Sequence, residues 1–385
     1  MKSQFLLDPN ITFLNHGSFG ACTKPIFEEF QRFQLELETE PVDFIQRKHP
    51  VYLKAARESL AKYVSCQAED LFFTSNPTFA INVIMRSLKL KVGDEILATN
   101  HEYGAMDRTW NFYCKKSGAK YIRQNISLPV VSKEQIIEEF WKGYNQNTKV
   151  IFLNQMSSAT ALIFPVKEIC DKAKELGLIT IVDGAHVPAH IDLNITALNP
   201  DYYTGTLHKW MLAPKGSSFL YVKQELQDAL EPLVVSWGYE SVAPGENQFL
   251  DYHELQGTRD VSAFLCTPKV VEFLEQNNWK AVSKECKQIV FDNYQRFCDL
   301  LNTKPLSPIT AEFLGQMASV PVNTKEPAEL KEVLYSKYKI QVPVMPLNDK
   351  IYIRFSINAY NSQEDLDILY RALEEIIATT DLIQL

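Results

Sequence analysis

The residues with the most chemical promise follow two short apolar runs. LITIV at 178–182 leads into Asp183, followed by Gly184, Ala185 and His186. A carboxylate at the end of a buried strand loses solvation and needs a cation or hydrogen bonds in exchange. Further along, Lys209 stands among Leu207, Trp210, Met211 and Leu212. A lysine so surrounded also loses solvation, and the lowered pKa makes its amine a usable nucleophile. Taken singly, Asp183 reads as readily as a structural cap or a metal ligand, and Lys209 as a loop lysine whose stem lies along apolar surface. Taken together they are the two groups that pyridoxal phosphate requires: an amine for a Schiff base, and an acid facing the pyridinium nitrogen so that the ring draws electrons. The cofactor also needs a phosphate cradle, and TSNPTFAIN at 74–82 offers one where a strand gives way to a helix. Backbone N–H groups and the positive dipole end gather there, Thr78 adds a hydroxyl, and Pro77, which has no N–H, suits the first turn. Many helices begin this way without a ligand.

Such residues need a rigid frame, and the chain supplies the pattern of one. DLFFT (70–74), DEILAT (94–99), VIFLN (150–154) and LITIVD (178–183) read as strands, with helices over 79–88 and 165–176; DYYTG and SSFLYV are strands on either side of Lys209. Apolar residues at three- and four-residue spacing over 28–37 and 52–63 predict surface helices. Short, β-branched, nearly continuous apolar strands between amphipathic helices predict an α/β fold whose parallel sheet is buried on both faces. Ligands collect beyond the carboxyl ends of such strands, which singles out residues 74–78, 100–105, 154–157 and 183–186. Beyond about residue 260 the texture turns to long helical segments and two short strands, MASVPV (317–322) and KIYIRFS (350–356), which predict a second, smaller α+β domain. In the latter strand Ile351, Ile353 and Phe355 share one face and Tyr352, Arg354 and Ser356 the other, so Arg354 is expected to point into the cleft between the domains.

Composition narrows the partners. The 385 residues carry a net charge of −8, which repels polyanions, so nucleic acid is not expected. The seven cysteines are scattered and never form a Cys-x-x-Cys pair; they read as reduced thiols, with no disulfide and no metal site expected. The start, MKSQFLLDPN, breaks its apolar stretch before a signal core forms, and no apolar run approaches the roughly 18 residues of a membrane span. A cytoplasmic address and no membrane contact are the expectation.

Six segments carry a family resemblance: LNHGSFGA (14–21), NHEYGA (100–105), VDGAHVPAH (182–190), GTLHKW (205–210), QGTRD (256–260) and YIRFSINAYNSQEDLDIL (352–369). In this order the chain resembles the class V aminotransferase family of fold-type-I pyridoxal phosphate enzymes, nearest its isopenicillin N epimerase-like branch. The resemblance implies a large cofactor-binding α/β domain over 24–258, with a mainly parallel seven-stranded sheet flanked by helices, and a small α+β domain made of 1–23 and 259–385. It implies that Lys209 forms the Schiff base, that Asp183 pairs with the ring nitrogen, that His186 lies near the cofactor's O3′, and that Asn154 bonds from the ring's other side. Thr78, Thr206, His208 and the amides near Asn76 would hold the phosphate, although the branch commonly has Asn-Ala-Thr where this chain has Asn-Pro-Thr. Tyr103 is expected over the ring face, with His101 as the alternative. Arg354 matches the arginine that takes the substrate α-carboxylate through a planar fork. Asn15 and His16 match a loop bordering the substrate. The family's sites are shared across a homodimer, so Thr258 and Arg259 would reach the neighbouring subunit's site. His49 and His253 match nothing; His190 is expected to start a helix or pack, and Trp210 to pack beside the lysine.

The implied activity lies at Cα of a small amino-acid substrate, where Lys209 removes a proton and epimerisation, β-elimination and transamination then diverge. One alternative is a C–S β-lyase of the cysteine desulfurase-like or hercynylcysteine sulfoxide lyase type. It would work without a persulfide cysteine, because the last cysteine is Cys298 and none stands between it and Arg354. The other is a catalytically retired binding module, which loss of the lysine, the acid or the arginine would favour; all three are present.

Overall fold

The computed structural model describes residues 1–245 and 247–385. Its strands are β1 (Thr12–Phe13), β2 (Leu71–Thr74), β3 (Glu95–Thr99), β4 (Lys120–Gln124), β5 (Thr148–Asn154), β6 (Ile179–Gly184), β7 (Tyr202–Thr206), β8 (Ser218–Val222), β9 (Met317–Val322), β10 (Ile340–Gln341), β11 (Val344–Leu347) and β12 (Lys350–Ser356). Seven of them form one sheet in the order β2-β8-β7-β6-β5-β3-β4. Neighbours run parallel from β7 through β4, while β8 opposes both β7 and β2. The expected α/β fold with a mainly parallel seven-stranded sheet is therefore present.

The apolar runs explain why the sheet is buried on both faces. Successive side chains on a strand point to opposite faces, and here they enter two different cores. Phe72, Ile96, Phe152, Ile181 and Leu220 join one cluster with Ile81 and Ile84 of the helix Pro77–Ser87 and Trp110 of Gly104–Ser117. Phe73, Leu97, Leu153, Val182 and Phe219 join the other, with Leu60 of His49–Val64 and Ile169 of Val166–Glu175. The edge strand β4, read KYIRQ, has no fully buried residue, whereas the other strands of the sheet are buried along nearly all their length.

The later strands form a three-stranded antiparallel sheet, β11-β12-β9, against which the long helix Trp279–Leu300 packs. The third strand, β11, escapes a pattern reading because Pro346 interrupts it and three of its four residues stay in contact with water. β1 pairs parallel with β10, so the amino-terminal segment is stitched to the carboxyl-terminal part of the chain. Among the described residues no helix is long and apolar enough to cross a membrane.

Candidate active site

The carboxyl edge of the large sheet lines up the chemistry. Register pairs Asn154 with Asp183 and Asp183 with Thr204, while Thr74 and Thr206 both face Ser218. From the helix start after β2 one therefore passes Thr206, then Asp183, then Asn154, with Glu102 and Tyr103 following β3. At roughly 4.8 Å per strand, Thr74 and Thr206 are about 10 Å apart.

Asp183 is buried, and its hydrogen bond comes from the Ala185 N–H at 2.9 Å. Burial raises its pKa, opposed by that N–H and by nearby Lys209. Lys209 sits in a tight loop after β7, walled by buried Leu207, Trp210, Met211 and Leu212. Burial lowers its pKa to about 8, the Arg354 charge adds to the effect, and Asp183 opposes it. His186, also buried and held well below its ordinary pKa by burial and by Lys209, places Nε2 3.2 Å from Lys209 Nζ.

The amino-terminal motif packs against the lysine's backbone. His16 Nε2–H donates to the Lys209 carbonyl at 3.0 Å while Nδ1 lies 3.0 Å from the Tyr360 hydroxyl. Both ring nitrogens of His16 are thus committed, and the residue is fully buried. Gly20 has φ +68°, and a Cβ there would lie 2.1 Å from the His208 carbonyl oxygen, so only glycine allows so close an approach.

Arg354 is 1% exposed, and the face it shares with Tyr352 and Ser356 is as buried as the opposite one, because the loop at 157–159 and the turn at 16–19 cover it. It donates to the Ser158 carbonyl, to Ser158 Oγ at 3.2 Å and to Ser18 Oγ at 3.0 Å, and no carboxylate pairs with it among the described residues. Burial lowers its pKa to about 10, and Tyr103 partly offsets the effect. Tyr103 stands half-exposed at the N-cap of Gly104–Ser117. His101, the alternative for the ring face, is turned into the protein, with Nδ1 3.2 Å from Thr160 Oγ1 and Nε2 3.2 Å from the Ile126 carbonyl. Of the two, only Tyr103 is open.

Sequence reasoning missed Glu102, although it lies inside the NHEYGA motif. Its carboxylate accepts from Thr99 Oγ1 at 2.6 Å, the Thr99 N–H, the Asn154 N–H at 2.9 Å and Asn154 Nδ2 at 2.8 Å. Burial nevertheless pushes its pKa up to about 8. Asn154 Nδ2 also donates to the His101 carbonyl, so both amide hydrogens are used and Oδ1 is left free. Asn76 caps its helix through the Phe79 N–H at 2.9 Å, and Thr78 is partly open at the second helical position. His208 Nδ1–H donates to the Ser217 carbonyl at 2.9 Å. Thr258 is exposed, and Arg259 lies over the Phe264 ring. His190 is buried with both ring nitrogens paired, a packing role as expected. Trp210 does more than pack, since its indole N–H donates to His186 Nδ1 at 3.3 Å.

Buried polar atoms without partners test whether a cofactor fits. Thr206 Oγ1, Asn154 Oδ1, Arg354 Nε and Asn15 Oδ1 are all buried and unpaired. Leaving such atoms unsatisfied costs about 1–3 kcal/mol each, so these four are free to be completed by a polar ligand. A hydroxyl on the Thr78 side, a free amide oxygen on the Asn154 side, a carboxylate between and an amine alongside match the phosphate, ring substituents, ring nitrogen and aldehyde of pyridoxal phosphate.

The family model "Aminotransferase class-V" matches residues 45–369. An isopenicillin N epimerase of Amycolatopsis lactamdurans is 31% identical over 391 residues, covering 97% of each chain. A hercynylcysteine sulfoxide lyase of Schizosaccharomyces pombe is 22% identical, over 97% of this chain and 96% of its own. Among solved structures, a variant of the cystine C–S lyase C-DES, with glycine covalently linked to its pyridoxal phosphate cofactor, superposes with a TM-score of 0.81 at 18% identity, covering 97% and 98% of the two chains.

Proposed function

The chain belongs to the class-V aminotransferase family of pyridoxal phosphate enzymes, and from that premise we propose that it acts at Cα of an amino acid or amino-acid derivative, in the manner of isopenicillin N epimerase-like proteins. The observation that carries this reading is the meeting of Lys209, Asp183 and an unpaired, buried Arg354 in one site.

When bound through its aldehyde, pyridoxal phosphate supplies an electron sink that makes a Cα proton removable. The chain's own groups do the rest. Lys209, whose amine burial holds at a pKa of about 8, would hold the cofactor through its aldehyde and would be the base placed to take the Cα proton. Asp183 offers a carboxylate to the ring nitrogen, with Ala185 N–H fixing its other oxygen. Thr206, Thr78 and His208 would hold the phosphate, and Asn154 would offer the cofactor its free Oδ1, because Glu102 and the His101 carbonyl occupy its amide hydrogens. Arg354 grips the substrate α-carboxylate as a two-pronged donor, with Ser18 and Ser158 holding the guanidinium flat in place. Tyr103 covers the open face at the mouth, and Asn15 borders the substrate.

A second reading, C–S β-elimination, draws support from the likeness to hercynylcysteine sulfoxide lyase. Cys266, Cys286 and Cys298 are buried, and burial pushes the latter two thiols up to about 12, so an elimination that needs no protein persulfide suits this chain better than one that does. The deciding experiment incubates the holoenzyme in D2O with a panel of L-amino acids and thioethers. Cα deuteration with inversion supports the first reading, and release of pyruvate and ammonia the second. No exchange at Cα with any compound sinks both.

A further inference from the structure

Trp210 has a donor and nothing else to offer a hydrogen-bond partner, and that asymmetry decides the state of its neighbour. An indole N–H only donates, so the His186 Nδ1 that receives it at 3.3 Å carries a lone pair and no hydrogen. The neutral ring then bears its hydrogen on Nε2, which faces Lys209 Nζ at 3.2 Å. An ammonium has three hydrogens and no lone pair, so this contact is a hydrogen bond only when the lysine is a neutral amine. The indole itself is locked. One face stacks on His190 at 3.7 Å between ring centres, and the His16 ring lies 4.8 Å away, tilted. His190 cannot swing, since its Nδ1–H donates to the His186 carbonyl at 2.8 Å and its Nε2 accepts the Gln316 N–H at 2.6 Å.

We propose that Trp210 is a positioning residue: its N–H fixes His186 as the Nε2–H tautomer, and that tautomer holds the Lys209 amine in its neutral, reactive form. The inference rests on reading Lys209 as the amine that captures the cofactor, but the tautomer itself can be tested apart from that reading. The groups that set the lysine's protonation are all in view. Arg354 from β12 disfavours the ammonium, Asp183 at the end of β6 favours it, and His186 faces the amine directly. His186 is in turn faced by Lys209, Arg354, His190 and His16, of which the two histidines are themselves neutral by burial. Without the indole donor, His186 is free to take the other tautomer, whose bare Nε2 accepts from an ammonium and stabilises it. The Lys209 amine would then titrate at higher pH.

The test uses the full chain stripped of cofactor. Nitrogen NMR of 15N-histidine-labelled wild type, with His186 assigned by loss of its signals in His186→Asn, should give the Nε2–H tautomer near pH 9, where the Lys209 amine is neutral. A wild-type His186 in the Nδ1–H or imidazolium form overturns the proposal, whatever any variant does. Trp210→Phe keeps an aromatic ring against His190 and removes only the donor. It should lose the fixed tautomer and move the midpoint of the pH profile for borohydride-trapped capture of pyridoxal phosphate up by about one pH unit. Capture near pH 7 should slow by about 3- to 10-fold, with the same plateau at high pH. A purely packing role would leave tautomer and midpoint unchanged, which also overturns the proposal. Should wild type trap no cofactor on Lys209, the reading of the lysine fails and the tautomer result stands by itself.

Discussion

At the scale of single residues, Lys209 and Arg354 share a problem, since each is a buried basic group with no carboxylate bonded to it among the described residues. Desolvation without pairing lowers the pKa of a basic group, and it does so for both. For Lys209 the direction is useful: below about pH 8 the amine is largely protonated, so capture of pyridoxal phosphate should accelerate as pH rises through that value. Lys209→Ala should abolish the borohydride-fixed adduct while phosphate contacts still retain some cofactor, as read by mass spectrometry and dialysis. For Arg354 the partner we propose is the substrate carboxylate. Losing one side of a buried charge pair costs roughly 2–5 kcal/mol, so Arg354→Ala should weaken amino-acid binding roughly 30- to 5,000-fold in a spectral titration. Arg354→Lys should recover only part of this, because an ammonium lacks the fork. Unchanged binding in the alanine variant would mean that the carboxylate is held elsewhere. Glu102 acts at one remove: Glu102→Ala leaves the Asn154 N–H and one hydrogen of its side-chain amide unpaired and should cost about 1–3 kcal/mol, seen as a lower melting temperature and looser cofactor.

At the scale of elements, the turn of residues 16–20 is as much a part of the site as the strands. His16 grips the Lys209 carbonyl and Gly20 lies flush against the backbone of His208 and Lys209. Gly20→Ala adds a Cβ 2.1 Å from a carbonyl oxygen and demands a positive φ of alanine. It should destabilise the fold by about 1 kcal/mol or more and raise the Kd for cofactor, because the turn must retreat from the lysine loop. Thermal melting together with cofactor titration checks both; a variant with wild-type values would show the turn to be free to move. The helix Pro77–Ser87 poses a simpler case. Asn76 spends its side chain on the Phe79 N–H, so the phosphate donors left at this end are the Thr78 N–H and hydroxyl.

At the scale of the whole molecule, Thr258 is exposed and Arg259 lies over the Phe264 ring, and we propose that a second copy receives them, which would make the enzyme a homodimer. The stretch before them exposes Val235, Trp237 (85%) and Val242 (99%), more apolar surface in one short segment than a lone chain usually leaves in water. Sedimentation of the holoenzyme at micromolar concentration should give about twice the chain mass of 44.1 kDa. Thr258→Ala should loosen cofactor without altering the Lys209 loop. A fully active monomer would sink the shared-site arrangement.

What the linear sequence settled by itself was everything written in local patterns. Continuous β-branched runs such as VIFLN and LITIV are legible because a strand buried on both faces tolerates no polar interruption, and the sheet follows from them. Lys209 and Asp183 stood out for a similar reason: titratable side chains next to apolar runs are costly, so their presence signals use. The motifs around them were enough to find the family and its cofactor. Roles set by distance lay beyond such a reading. Whether Arg354 faces water or a closed pocket depends on the loop at 157–159 and the turn at 16–19, far away in sequence. His16 turns out to hold a backbone carbonyl, and Glu102 to aim Asn154, because strands and loops remote in sequence come into register. Trp210 reads as one more apolar neighbour until folding brings His186 to its single N–H. Hydrogen bonds are directional and span a few ångströms, so tertiary structure alone decides which residues make them.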